Sequence, residues 1–355
     1  MPLQIATLLG QVAGGGDLSY EDTDAAFESI MAGQWTDDQI GLFLTSLAAK
    51  GETIDEIAGA AAAMRRHMTP IRSRHQELLD TCGTGGGGST TFNISTTAAI
   101  VAAAAGVPVA KHGNRSITSK SGSADVLAEL GVNINATISQ VESCLDELGL
   151  CFCFAPLMHP AMKHVAAVRK RLGIRTIFNI LGPLANPAGA SYQLLGAGRP
   201  ELRPLLAGAM AKLGTRRSLI VSGEDGLGDV TLSGATFVTE VATAGISPDS
   251  AKSIDTVSTM REFVWQPEDF GVERQSLTTL AIETPAESAA VIRALLSGER
   301  GAPRDIVIVN AAAGLIVSGK ETETHVAAER AAKAIDGGAA LLLLQRLVER
   351  SHATT

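Results

Sequence analysis

A glycine-rich segment offers the clearest binding chemistry in this sequence. Five glycines lie within Gly83–Gly88, between an apolar run that ends at Asp80 and an alanine-rich run typical of a helix. Glycines permit positive φ angles and close backbone approach, so successive N–H groups can surround an anion. Asn93, Ser95 and Thr96 stand where the helix would begin; their side chains can cap it and its first N–H groups can hold a phosphate. A tight turn is the usual role of a glycine loop, but these polar neighbours favour a phosphate site.

The distribution of charge supports an anion site. No Asp or Glu occurs between Asp80 and Asp125, and a second acid-free span, 148–200, carries six Lys and Arg residues. Burial explains the lack of acids in apolar 98–110 but not in the polar loop 112–123. Since the whole chain has a net charge of −8 and only 4% aromatic residues, small anions are predicted as ligands, and nucleic acid and membranes are not.

A second loop supplies cations and hydroxyl groups. Lys111 and Arg115 suit phosphate oxygens,. A loop that follows a strand of an α/β sheet is the expected place for a ligand. We interpret His112 as a core or loop histidine rather than as an acid or base. The hydroxyl donors of this loop are Ser119, Ser121 and Ser123.

Two other glycine-loop functions are disfavoured. Gly83, Gly85 and Gly88 satisfy the pattern of a dinucleotide-binding turn, but no acid follows about twenty residues later to bind a ribose hydroxyl,. Ser89 stands where the P-loop of proteins that bind nucleoside triphosphates requires lysine,.

An acidic turn follows a further apolar run. Glu224, Asp225 and Asp229 can supply magnesium ligands if a polyphosphate completes the coordination,. A solvated, glycine-rich turn is an equally good interpretation of these residues.

The pattern of elements predicts an α/β protein with a smaller helical domain in front of it. Capping pairs at Ser19, Thr36 and Thr53 predict about four helices within residues 1–72,. From 73 to 350, apolar runs alternate with glycine-bearing loops and helix-like segments, which predicts a central, mainly parallel sheet flanked by helices. The predicted strands are 78–80, 107–110, 151–154, 194–196, 218–221 and 305–309, with a β excursion in 229–241; the predicted helices are 96–105, 124–130, 160–172, 201–213, 286–296, 325–335 and 339–350.

Composition narrows the class and the compartment. Of 355 residues, 45% are hydrophobic, which excludes disorder. The longest apolar run, 98–110, is too short to span a membrane,. No Lys or Arg precedes Lys50, so we expect no signal peptide and a cytoplasmic location. The four cysteines are expected to be reduced and buried.

Five motifs in order resemble the anthranilate phosphoribosyltransferase family of tryptophan biosynthesis. They read DTCGTGG at 80–86, FNIST at 92–96, KHGNRS at 111–116, SGSADVL at 121–127 and RTIFNILGPL at 175–184. The resemblance implies a homodimer formed through the helical domain, to which a segment at about 172–190 returns. It also implies transfer of a phosphoribosyl group from 5-phosphoribosyl 1-pyrophosphate (PRPP) to the amine of anthranilate, with Mg²⁺ as cofactor.

The same resemblance implies a set of site residues. Lys111 would stabilise charge, and no residue would act as a classical acid or base. Anthranilate would contact Gly83, Asn114 and Arg169, and the metal would contact Ser95 and Asp229, with Glu224 and Asp225 as substitutes. PRPP would be held by Gly83, Gly86, Gly87, Thr91, Asn93, Ile94, Ser95, Thr96, Lys111, His112, Gly113, Asn114, Arg115, Ser116, Ile117, Thr118, Ser119 and Ser123.

The chain departs from the family pattern at two glycines. Gly87 and Gly228 stand where the family usually has Asp, and Asp229 stands where it has Glu. One carboxylate beside the pyrophosphate and one metal ligand are therefore absent. Two alternative functions remain open at this point: a pyrimidine nucleoside phosphorylase, which the KHGNR loop fits poorly, and a non-catalytic paralogue that binds nucleic acid, which the charge disfavours.

Overall fold

Four helices form the N-terminal unit. A computed structural model describes residues 5–85, 90–116, 119–243 and 258–353. Its first helices are α1 (Ile5–Ala13), α2 (Tyr20–Met31), α3 (Asp37–Lys50) and α4 (Ile54–Arg66). The predicted caps are confirmed: the Ser19 side chain accepts from the Asp22 amide, and Thr36 and Thr53 form complete capping boxes with Gln39 and Glu56.

A seven-stranded sheet forms the centre of the larger unit. Its strands lie in the order β3-β2-β1-β4-β5-β6-β7. The first five pair in parallel, while β6 and β7 are antiparallel. The chain continues from β1 to β2 and β3 on one side of β1 and then crosses to β4 on its other side, so a topological switch point lies at the carboxyl end of β1. The strands are β1 (Leu79–Gly83), β2 (Val109–Gly113), β3 (Leu150–Phe154), β4 (Tyr192–Gly196), β5 (Arg217–Gly223), β6 (Thr236–Thr243) and β7 (Ser258–Trp265).

Helices flank this sheet, which confirms the predicted α/β class. Short 3₁₀ helices lie at Pro160–Met162, Gly182–Leu184, Pro267–Phe270 and Leu277–Leu280. The α-helices are α5 (Ile94–Ala104), α6 (Ser123–Glu129), α7 (Ile138–Leu148), α8 (Ala155–Met158), α9 (Lys163–Leu172), α10 (Phe178–Leu181), α11 (Leu202–Leu213), α12 (Pro285–Leu296), α13 (Ala302–Val317), α14 (Thr324–Asp336) and α15 (Ala339–His352).

One predicted strand is wrong. Residues 305–309 belong to α13, a helix that is buried along nearly its whole length. A helix surrounded by protein shows no polar face, so its apolar run is indistinguishable from that of a buried strand. The predicted β excursion, 229–241, overlaps most of β6, but its partner β7 was not predicted. Helix α7 was also missed, although Thr137 and Gln140 form a capping box at its start.

Two hydrophobic cores hold the molecule together. The larger core packs helices such as α5 and α13 against the sheet. The smaller core joins the N-terminal helices to α9, α10 and α11. Phe178 of α10 lies 5.5 Å from Phe27 of α2, measured between ring centroids. Residues well beyond the first four helices therefore complete the core of the N-terminal unit.

Two expectations from composition can be compared with the structure. All four cysteines are buried and free, as predicted. Among the described residues, no helix is both long and apolar enough to cross a membrane.

Candidate phosphate-binding site

The predicted phosphate loop lies at the switch point of the sheet. Gly83 ends β1 and pairs with Gly196 at the end of β4. A Cβ atom on Gly83 would lie 3.3 Å from the Gly196 carbonyl oxygen, which is tighter than ordinary packing. The predicted contacts Gly86 and Gly87 lie outside the described residues. After these residues, Thr91 forms an isolated antiparallel bridge with Ala281.

The start of α5 differs from the predicted capping arrangement. Asn93 is the N-cap residue, but its side chain makes no capping hydrogen bond. Its side-chain Nδ2 instead donates to the Ser121 carbonyl oxygen at 3.1 Å. No acceptor within the described ranges pairs with the Ser95 or Thr96 amide. The prediction that Asn93 caps the helix is wrong, and the first turn of α5 keeps N–H groups that can bind an anion.

Lys111 brings a buried positive charge to this helix start. It is 4% exposed; its Nζ donates to the Thr81 carbonyl oxygen and lies 3.5 Å from Ser95 Oγ. Burial lowers the pKa of Lys111, and the carboxylates of Asp80 and Asp229 oppose that shift. An ammonium group beside free helix amides suits phosphate oxygens.

Asp125 organises the second predicted loop, a role that was not predicted. Its Oδ2 accepts from the amides of Ser116 at 2.9 Å and Gly122 at 3.0 Å, and its Oδ1 accepts from Arg115 at 2.9 Å. The signal was present in the sequence, because Asp125 is the first acid after a long acid-free span. Ile117 and Thr118 lie outside the described residues.

Short polar contacts close the same loop. Ser116 Oγ contacts Ser119, and Ser123 Oγ donates to the Asn114 carbonyl oxygen at 3.3 Å. A Cβ atom at Gly113 would lie 2.1 Å from Ser123 Oγ. A side chain at position 113 would therefore require Ser123 and Phe152 to move.

Two buried histidines lie beneath the loop. His112 Nδ1 is 3.0 Å from the Gly182 carbonyl oxygen, and His112 Nε2 is 3.1 Å from His159 Nε2. Burial lowers the pKa of His112 to about 3, with His159 as a second cause, and it lowers the pKa of His159 to about 4. The neutral pair links the loop to the 3₁₀ turn at 182–184. This geometry agrees with the structural interpretation of His112.

The acidic turn places its three predicted carboxylates differently. Burial raises the pKa of Asp229 to about 7, and Lys111 acts in the opposite direction. Asp225 is used within the turn, where its oxygens accept from the Leu227 amide and from the hydroxyls of Thr231 and Ser233. Glu224 Oε2 accepts from the Ala235 amide at 3.2 Å. Of the three carboxylates of this turn, Asp229 is therefore the one that interacts with Lys111.

Gly228 lies where a side chain is hard to accommodate. Its carbonyl oxygen would be 1.6 Å from a Cβ atom at Gly196, and a Cβ at Gly228 itself would lie 3.0 Å from the Gly198 amide nitrogen. The acidic turn thus packs directly, backbone to backbone, on the end of β4.

The donor set suits a magnesium ion that a substrate helps to bind. Within the described ranges, no group of three or more His, Cys, Asp or Glu residues lies close enough together to hold a metal ion. Ser95 Oγ lies 3.5 Å from Lys111 Nζ, and the Asp229 carboxylate interacts electrostatically with the same ammonium group. Mg²⁺ is commonly held by one or two carboxylates together with substrate phosphates. These two residues therefore fit a site that a phosphate group completes.

Arg169 is a candidate for a separate anionic group. It lies on α9, and its guanidinium carbon is 5.3 Å from the centroid of the Phe178 ring. Burial lowers its pKa. It forms no ion pair with any residue that the structure describes, so its charge is available to a carboxylate.

Family comparisons cover both parts of the chain. Residues 6–68 match the glycosyl transferase family, helical bundle domain, and residues 75–341 match the glycosyl transferase family, a/b domain. The anthranilate phosphoribosyltransferase of Rhodopirellula baltica is 46% identical over 347 residues, which cover 98% of this chain and 97% of that protein. The enzyme of the same name from Pelotomaculum thermopropionicum is 46% identical over 97% of this chain and 96% of its own length.

Solved structures agree with these matches. The crystal structure of anthranilate phosphoribosyltransferase from Thermus thermophilus has a TM-score of 0.87 and 39% identity, covering 98% of this chain and 99% of that one. The Saccharomyces cerevisiae enzyme in complex with PRPP and Mg has a TM-score of 0.86 and 29% identity, covering 99% and 98%. Neither alternative function is supported by these relatives. The chain belongs to the anthranilate phosphoribosyltransferase family.

Proposed function

We propose that this protein transfers the phosphoribosyl group of PRPP to the amine of anthranilate, giving N-(5-phosphoribosyl)anthranilate and pyrophosphate. This is the second step from chorismate to tryptophan. The observation that supports it most is the buried Lys111 ammonium beside amides at the start of α5 that pair with no acceptor among the described residues. The names of the relatives supply the substrate pair.

We further propose how the residues divide between the two substrates. Anthranilate would lie against Gly83 and Asn114, with its carboxylate on Arg169, whose partly buried guanidinium stacks on Phe178 and forms no ion pair among the described residues. PRPP would contact two segments, 91–96 and 111–119, together with Ser123, and also the glycine loop through Gly83, Gly86 and Gly87. Mg²⁺ would bind Ser95 and Asp229, while Glu224 and Asp225 stay in the turn.

The proposed chemistry needs positioning and charge neutralisation. An aromatic amine is already a nucleophile near neutral pH, so no general base is required. As the bond between C1 and the pyrophosphate breaks, Lys111 and the amides of Ser95 and Thr96 would stabilise the negative charge that develops on the leaving group. Bound Mg²⁺ would add positive charge to the pyrophosphate.

We also propose a cytoplasmic homodimer formed through the helical domain. Leu42 of α3 is 50% exposed, and Ile174, which follows α9, is 48% exposed. Helices α3 and α9 pack against each other, and Arg171 joins them through Asp37 at 3.6 Å. Large apolar side chains exposed on neighbouring elements are typical of an interface.

A fluorescence assay of anthranilate consumption tests the function. The reaction would contain PRPP and a range of Mg²⁺ concentrations, with a chelator as the control. We expect magnesium-dependent loss of anthranilate and a product of the mass of N-(5-phosphoribosyl)anthranilate. Arg169→Ala should raise the KM for anthranilate at least tenfold, because a charge-assisted pair of about 1.5–3 kcal/mol is lost. Lys170→Ala, on the same helix, is the matched control.

Two results would contradict this proposal. One is a folded wild-type protein that consumes no anthranilate at any magnesium concentration. The other is an Arg169→Ala variant whose KM for anthranilate equals that of Lys170→Ala, which would remove Arg169 from the site.

A further inference from the structure

Ser288 makes an unusual double contact with the N-cap residue of α5. Its Oγ donates to Asn93 Oδ1 at 2.7 Å and accepts from the Asn93 amide at 3.1 Å. Ser288 lies in the first turns of α12 and is fully buried. One hydroxyl group thus engages both the side chain and the backbone of a residue 195 positions away.

This contact removes the oxygen that would otherwise cap α5. An N-cap side chain normally accepts from the amide two or three residues later, which here means Ser95 or Thr96. The capping residues Ser19, Thr36 and Thr53 have ψ angles of 165°, 158° and 167°. Asn93 has ψ 74° and no capping hydrogen bond. Its backbone and its side chain are therefore both held away from the capping geometry.

Neighbouring contacts hold the same arrangement in place. The segment 280–288 pairs with 90–93: the Phe92 amide donates to the Leu280 carbonyl oxygen at 2.9 Å, and the Ile282 amide donates to the Thr90 carbonyl oxygen at 2.8 Å. Glu283 forms an ion pair of 2.6 Å with Lys120 of the second loop. Segment 280–288 thus touches both predicted phosphate loops.

We propose that Ser288 is a positioning residue that keeps the start of α5 open for a phosphate group of the substrate. By engaging Asn93 Oδ1, it prevents the asparagine from capping its own helix and competing with the substrate for the Ser95 and Thr96 amides. It also directs the side-chain Nδ2 of Asn93 to the Ser121 carbonyl oxygen, which joins the two loops. This inference rests on the proposed function and assigns a role to a residue outside the family motifs identified in the sequence.

Ser288→Ala tests the role in the full-length protein. Without the hydroxyl, Asn93 is free to cap α5, and PRPP must displace that cap. We expect the KM for PRPP to rise about fivefold, equivalent to about 1 kcal/mol, the usual contribution of an N-cap. The KM for anthranilate should change less than twofold. Ser288→Thr keeps the hydroxyl and should behave as the wild type does.

Two further variants separate positioning from stability. Ser318→Ala removes another buried serine, whose Oγ donates to the Leu315 carbonyl oxygen at the far end of α13; it should leave the KM for PRPP unchanged. Asn93→Ala removes the competing cap. In that background, adding Ser288→Ala should cause no further rise in the KM for PRPP, because the two residues act as a unit.

The outcomes distinguish this inference from the proposed function. An unchanged KM for PRPP in Ser288→Ala, or equal effects of Ser288→Ala with and without Asn93, would overturn it. If the wild type proves inactive, the proposed function fails; calorimetric binding of inorganic pyrophosphate then tests the inference, which expects about fivefold weaker binding by Ser288→Ala. If Ser288→Ala does not fold, a wild-type KM for PRPP in Ser288→Thr supports the role, whereas weakened PRPP binding in that variant contradicts it.

Discussion

Some residues of the site could be predicted from the local sequence, whereas others depend on contacts with distant parts of the chain. Lys111 was predicted as a phosphate ligand from its type and position, and the structure places its Nζ 3.5 Å from Ser95 Oγ. Asn93 was predicted to cap α5, but its side chain is engaged by Ser288. A sequence pattern records which residues are near along the chain, whereas Ser288 arrives from another helix. Contacts of this kind cannot be deduced from local spacing.

The His112–His159 pair should make the stability depend on pH. Both folded pKa values, about 3 and about 4, lie below the usual 6.5, so the unfolded chain binds more protons between about pH 4 and 6.5. The contribution of this pair to the free energy of unfolding is therefore fully present above about pH 6.5 and is lost as the pH falls towards the folded pKa values. From His159 alone, we expect the free energy of unfolding to be about 2 kcal/mol lower at pH 5 than at pH 7.

Thermal melts between pH 5 and 7 measure this dependence. His159→Gln should show a clearly smaller fall in Tm than the wild type, since Gln stays neutral. His325→Gln, at an exposed position, should retain the full fall. A pH dependence in His159→Gln equal to that of the wild type would assign the effect to other groups.

At the scale of elements, predictions succeeded where a local signal exists. The capping pairs located α2, α3 and α4, and the glycine-bearing loops located the parallel strands. The prediction for α13 was wrong because this helix is buried on all sides. Strand β7 was not predicted because a long connection separates it from its partner β6. Antiparallel pairing across such a distance leaves no pattern in a short window of sequence.

The exposed face of α3 should carry the proposed dimer interface. Leu42→Asp places a charge where the interface would be apolar, so light scattering should report about 36.7 kDa, the mass of one chain, in place of twice that mass. Leu342→Asp is the matched control, because Leu342 of α15 is similarly exposed at 56%. A wild type that is already monomeric, or a dimeric Leu42→Asp variant, would contradict this interface.

At the scale of the whole molecule, the fold explains why the site forms where it does. The switch point brings the ends of β1, β2 and β4 together, and the N-terminal helices share a core with α9 and α10. The α/β class and the positions of the two loops at the ends of β1 and β2 were predictable because glycine spacing, charge and family motifs are local. The order of the strands was not, because it depends on crossovers between distant segments.

The start of α5 and Lys111 form the proposed phosphate site. A crystal structure of the protein with pyrophosphate and Mg²⁺ tests it most directly. We predict that the anion contacts the amides of Ser95 and Thr96 and the Nζ of Lys111. Pyrophosphate bound only at the amino ends of the strands, in the cavity of about 360 Å³ that Arg74, His75 and Lys320 help to line, would show that the phosphate site lies elsewhere.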